Sequence, residues 1–127
     1  MTKRGKIIPN GVALEVHEFS TILYFTELGK TIELIPASHT PGAKTPDFKM
    51  NGVLWEMKCP QGKSKTTLEH AFKKAITQSD SVIFDLRHIK FAEDLAINTL
   101  TQLFKQTRRC KRLIIITKSQ NHLDFKK

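Results

Sequence analysis

Asn51-Gly52, set between two runs that alternate apolar and polar residues, constrains this chain more than any other feature. That dipeptide is the strongest short-range signal for a two-residue type I′ turn, because both central positions require positive φ. Closing a hairpin on it pairs Met50 with Val53, Lys49 with Leu54, Phe48 with Trp55 and Asp47 with Glu56. Period-two alternation then places Glu56 and Lys58 on the Asp47 face, and Pro46, Phe48, Met50, Val53, Trp55, Met57 and Cys59 on the other. Like charges directly opposite one another destabilise a strand pair. A solvated charged face has no use for that repulsion, whereas two carboxylates beside an amine can hold a divalent metal next to a proton-handling group.

Around the hairpin the pattern is one of alternating elements. A helix is expected over residues 12–28, with Val12, Val16, Phe19 and Leu23 on its apolar stripe, Ile22 and Thr26 beside them, and Gly29 as its stop. A strand over residues 30–35 ends at Pro36, and residues 37–45 form a Ser/Thr/Pro/Gly loop. After the hairpin come a polar turn over residues 60–65 and a helix over 66–78 through Leu68, Phe72 and Ile76. A buried strand over 81–86 follows, then a helix over 93–107 through Ala96, Leu100, Leu103 and Phe104. The apolar run Leu113-Ile114-Ile115-Ile116-Thr117 reads as a strand covered on both faces. The order helix, three strands, helix, strand, helix, strand specifies an α/β fold with a central mixed sheet flanked by helices, its crossovers right-handed.

At 127 residues the chain has room for one domain with its own core. Cys59 and Cys110 show neither metal-ligand spacing nor a disulfide framework, and Cys59 falls on the apolar hairpin face as a small buried thiol. No apolar run reaches the ~18 residues of a membrane span, and the start at Met1-Thr2-Lys3-Arg4 lacks the apolar core of a signal peptide, so the chain reads as soluble with any export supplied from elsewhere. The net charge is +9. Residues 105–127 hold Lys105, Arg108, Arg109, Lys111, Arg112, Lys118, Lys126 and Lys127 against Asp124 alone. That asymmetry calls for a polyanionic partner, with some of the bases serving as helix C-terminal caps.

With Pro46-Asp47 on one hairpin strand and Glu56-Met57-Lys58 on its partner, the element order resembles the PD-(D/E)xK nuclease superfamily. More narrowly, residues 17–118 look like the C-terminal tRNase domains of bacterial contact-dependent growth inhibition toxins. The residues carrying that likeness are Lys44-Thr45-Pro46-Asp47-Phe48, Trp55-Glu56-Met57-Lys58, Gly62-Lys63-Ser64, Gln78-Ser79, Ile83-Phe84-Asp85-Leu86-Arg87 and Arg112 through Lys118. The resemblance implies a metal-dependent endoribonuclease that hydrolyses tRNA, with a DNase of the same fold or a non-catalytic nucleic-acid-binding domain as the alternatives.

Asp47 and Glu56 would share a hard divalent cation, Mg²⁺ being the expected ion. The Met57 carbonyl is a third ligand implied by the resemblance. Lys58 would orient the attacking water or stabilise charge growing at the phosphate. A first-helix acid is also implied, with Glu18 as first choice and Glu15 as second. Lys63, Lys65 and Thr66 sit at a helix start suited to a phosphate, and Arg108 and Arg109 belong to the basic segment expected to hold substrate. Asp85 and Arg87 end a central strand as an ion pair or as support for the site. The five histidines are expected on the surface or in packing, with His39 of interest because it precedes Asp47. The family likeness further implies a cognate immunity protein and release within a larger secreted toxin that delivers this domain to the target-cell cytoplasm.

Overall fold

The computed structural model describes residues 3–127; Met1 and Thr2, at the start of the segment read above as lacking a signal core, lie outside the described residues. The elements are β1 (Ile7–Ile8), α1 (Val16–Glu27), β2 (Ile32–Leu34), β3 (Phe48–Met50), β4 (Val53–Lys58), α2 (Lys65–Ala75), β5 (Ser81–Asp85), α3 (Glu93–Gln106), β6 (Arg112–Ile116) and β7 (His122–Lys126), with a 3₁₀ turn at Leu86–His88. The strands form one sheet in sequential order from β1 to β7. β1/β2, β4/β5 and β5/β6 pair in parallel, and β2/β3, β3/β4 and β6/β7 pair antiparallel. The α/β architecture is therefore the expected one.

The hairpin closes as the sequence requires: Asn51 and Gly52 have φ of 53° and 77°, and Met50, Lys49 and Phe48 pair with Val53, Leu54 and Trp55. Beyond Phe48 the register breaks. The Asp47 amide donates to Trp55 O at 2.8 Å, so two residues of the incoming strand face one of β4, as in a β-bulge. Asp47 is thus not set directly opposite Glu56. The bulge turns its side chain along β4, where one carboxylate oxygen accepts the Met57 amide at 2.8 Å.

Two cores cover the sheet. α2 and α3 lie on one face over Val82, Phe84, Leu113 and Ile115, as two crossovers of one hand stepping in one direction require. α1 lies on the other, with Ile22 and Phe25 against Phe48, Trp55, Met57, Ile83 and Ile114. β5 is buried along its whole length. Trp55 belongs to this core, 1% exposed.

Three expectations are corrected. Helix α1 begins at Val16, where Glu15 donates its amide to Glu18 Oε1 at 3.0 Å; Val12 and Leu14 pack from the preceding loop. Its buried face is Thr21, Ile22, Phe25 and Thr26, while Val16 is 83% and Phe19 46% exposed. Two buried threonines hide the true stripe because their hydroxyls are satisfied by other groups, Thr21 at Asp85 and Thr26 at Leu23 O. β1 and β7 were not anticipated. β1 has only two residues, and β7, exposed except at Phe125, carries the weak pattern of an edge strand. Gly29, at φ 89°, ends α1 as expected.

Candidate active site

Alternation along β4 sends Trp55 and Met57 into the α1 core and leaves Glu56 and Lys58 on the opposite face, level with Val82 and Phe84 of β5. The bulge brings Asp47 to the same place. Glu56 is 6% exposed, and its Oε1 has no hydrogen-bond partner. Lys58 Nζ stands 3.5 Å from the other oxygen. Burial, then the neighbouring Asp47 charge, push the Glu56 carboxyl up to about 8, outweighing the pull of Lys58. Asp47 is also raised, chiefly by burial, although the Met57 amide and Glu56 oppose this. The two carboxyls are close enough to share a proton. Like carboxylates crowded in this way cannot both ionise cheaply.

Glu18 enters from α1. Its charge acts on Asp47, and both residues line a cleft of about 200 Å³ with Val12, Leu14, Ala37 and Thr45. Glu15 and His39 do not line it; Glu15 is the helix cap. One Glu18 oxygen holds the Glu15 amide, which fixes the side chain at the first turn and leaves the second oxygen for the cleft.

The turn after β4 leads to α2, capped by Ser64, whose hydroxyl accepts the Thr67 amide at 3.4 Å. Lys63, Lys65 and Thr66 are exposed there, just past the Lys58 end of β4. Arg108 and Arg109 lie elsewhere. They occupy the turn between α3 and β6, at the end of the sheet where β5 and β6 begin, and Arg109 reaches the last turn of α2 at Ile76 O, 3.4 Å. The basic segment also divides by environment. Arg112 pairs with Asp124 at 2.9 Å and lies 5.0 Å over the Trp55 ring. Lys118 donates to Ile89 O at 3.1 Å, and Lys127 donates to Thr107 O at 2.7 Å.

Behind Glu18 the structure forms the ion pair that the sequence offered for Asp85 and Arg87 and adds Thr21, which the sequence did not indicate. Asp85 is fully buried and takes a two-pronged grip from Arg87, at 2.9 Å from Nε and 2.7 Å from Nη2, while Thr21 of α1 donates to it at 2.6 Å. Burial alone would raise the Asp85 carboxyl; the Arg87 and Thr21 hydrogen bonds overcome it and hold the group below its ordinary value. Arg87 also donates to Ser20 O at 3.2 Å, so the pair bolts α1 to the end of β5. The His17 and His88 rings meet at a tilt of 39° with centroids 4.0 Å apart; burial and then His17 lower the His88 pKa. Cys59 lies 3.2 Å from the Thr21 hydroxyl, and burial pushes its thiol up to about 11. The sequence signal was partial: a charged Asp85 ending an apolar strand was visible, but Thr21 lies 64 positions away.

Among the described residues no three His, Cys, Asp or Glu side chains cluster closely enough for a metal cage built of protein alone. Mg²⁺ binds through one or two carboxylates and keeps water and substrate oxygens for the remainder, so Asp47 and Glu56 are a sufficient set, and the unpartnered Glu56 oxygen is a free donor for it. The β3–β4 ladder ends at Trp55, and Met57 directs its amide to Asp47. In a strand the carbonyl of a residue projects to the same edge as its amide, so Met57 O borders the same carboxylates.

Comparison with known proteins follows the same segment. A family model described as the contact-dependent growth inhibition CdiA C-terminal domain matches residues 44–122, a span that includes Asp47, Glu56, Lys58, α2, Asp85 and Arg87 but not Glu18. Among solved structures, the CdiA-CT/CdiI toxin and immunity complex from Burkholderia pseudomallei aligns with 100% of this chain and 98% of that chain, with TM-score 0.65 and 17% sequence identity, a likeness of fold. No curated protein sequence matches. With more than half its length matched, the chain belongs to the CdiA C-terminal domain family of contact-dependent growth inhibition.

Proposed function

We propose that this domain is a metal-dependent nuclease of the PD-(D/E)xK type whose substrate is RNA, tRNA in particular. The observation that carries the reading is the mutually repelling pair of half-buried Asp47 and buried Glu56, with one Glu56 oxygen unpartnered and the Lys58 ammonium 3.5 Å from the other. Leaving a buried acceptor unmade costs ~1–3 kcal/mol, and two crowded acids add repulsion. A fold with no use for them would replace either one.

Asp47, Glu56 and the Met57 carbonyl would hold the divalent cation, with Glu18 bordering it from α1. Bound there, such an ion supplies polarisation of a phosphate oxygen and acidification of a coordinated water. The Lys58 ammonium donates a hydrogen bond to the attacking water or to the phosphate oxygen on which charge grows. The α2 start at Lys63, Lys65 and Thr66 receives a neighbouring phosphate through backbone amides and ammonium groups. Asp85, Arg87 and Thr21 do not touch the substrate; they keep α1, and so Glu18, in place.

The family and the toxin–immunity complex of similar fold support a biological setting in which the domain is the effector end of a larger secreted toxin, acts in the target-cell cytoplasm, and is silenced at home by an immunity protein. Incubating the purified chain with total RNA and with plasmid DNA, with Mg²⁺ and with chelator, tests the chemistry. Metal-dependent loss of tRNA with plasmid left intact is expected. Undiminished cleavage by Glu56→Ala in chelator would sink the assignment.

A further inference from the structure

A groove larger than the cleft beside Asp47, about 680 Å³, lies between the β3–β4 hairpin, the turn before β5 and the β6–β7 edge, within the ~300–1,000 Å³ range of ligand sites. Lys44, Lys111 and Lys126 line it, exposed and without an ion pair among the described residues. Asp80 is the one carboxylate in its wall. One end is Pro46, the residue before Asp47, and the neighbouring Thr45 amide is fixed to Gln78 Oε1 at 2.9 Å.

We infer that this groove is the tract that carries the phosphodiester backbone of the nucleic-acid substrate to the Asp47 side of the molecule. The inference rests on the nuclease reading only in calling the polyanion a substrate. Free lysines contributed by three separate elements surround one concave surface, whereas Arg112 and Lys127 in the same wall are engaged by Asp124 and Thr107 O. A backbone needs several phosphate-neutralising cations in a row; the groove provides them and ends at Pro46, a residue it shares with the cleft that holds Asp47 and Glu18. A flat acidic protein surface would need neither the concavity nor the junction with Pro46. Lys44 lies outside the basic segment expected from sequence to bind substrate, and Arg108 and Arg109 of that segment do not line the groove.

The test is fluorescence anisotropy with labelled bulk bacterial tRNA, in chelator so that cleavage does not intervene, across a salt series. The triple variant Lys44→Gln/Lys111→Gln/Lys126→Gln is compared with Lys6→Gln/Lys73→Gln/Lys90→Gln, an equal charge change outside the groove and outside the basic C-terminal segment. The groove variant should bind more than 10-fold more weakly, and its slope of log K against log salt should be shallower by about 2–3, since each phosphate contact contributes ~0.7–0.9. If the triple variant does not fold, Lys111→Gln/Lys126→Gln should show about two-thirds of that slope change. Equal affinities and slopes for the two triples overturn the inference, as does loss of affinity only for a cognate immunity protein. Wild-type chain that binds through the groove but cleaves nothing with Mg²⁺ refutes the nuclease reading and leaves the groove standing.

Discussion

Replacing Glu56 with Gln should make the metal-free protein more stable, by an amount that grows with pH. In the folded chain the Glu56 carboxyl is raised from 4.5 to about 8 by burial and by Asp47. A folded-state pKa above the unfolded one contributes stability that is fully present below about 4.5 and is lost as pH rises towards about 8, because across that window the unfolded chain has given up the proton that the folded chain keeps. At ~1.4 kcal/mol per pH unit, the wild type forfeits about 3 kcal/mol between pH 4.5 and 7 and little more above pH 8. Gln has the same shape, carries no charge and can donate to Asp47, so this loss disappears. Urea unfolding in chelator at pH 5, 6, 7 and 8 measures it. The stability of Glu56→Gln over wild type should widen by roughly 1 kcal/mol per pH unit. Adding Mg²⁺ should close the gap by stabilising the wild type alone. Parallel stability curves for the two proteins in chelator would show that Glu56 titrates normally and would remove the physical basis of the site.

Asp47→Ala, Glu56→Ala and Lys58→Ala should each abolish cleavage of total RNA while circular dichroism remains that of the wild type, and saturating RNA should not rescue Lys58→Ala. Glu18→Gln should slow turnover by more than ~10-fold, whereas Glu15→Gln, at the helix cap, should leave it within ~2-fold; equal effects would remove Glu18 from the site. Asp85→Ala strands the Arg87 guanidinium against the core and should cost ~3–5 kcal/mol of unfolding free energy in urea melts. Gly5→Ala should destabilise by ~1–3 kcal/mol, because a Cβ there would stand 1.8 Å from Lys30 O, a backbone atom with little room to move.

What could be read in the sequence was local. Asn51-Gly52 fixes its own turn through two positive φ angles, alternation fixes which side chains of β4 share a face, and the apolar runs of β5 and β6 announce strands covered on both sides. Asp47, Glu56 and Lys58 were legible because they lie within one hairpin, where alternation puts Glu56 and Lys58 on one face and the turn brings Asp47 within reach of them. The bulge at Asp47 was not, since it depends on where the chain must go after β3 rather than on any residue type. The inner face of α1 was likewise hidden: its threonines are buried because Asp85, on a strand far along the chain, accepts from one of them. The basic segment showed its charge in sequence, yet which lysines stay free was decided by the partners that packing gave to Arg112, Lys118 and Lys127. Sequence determined the elements and the carboxylate pair because φ preferences and period-two alternation act between neighbours. Tertiary structure alone decided the environment of that pair, its raised pKa values, the clamp behind Glu18 and the groove beside Pro46, because burial and charge–charge proximity arise between segments that meet only in the folded chain.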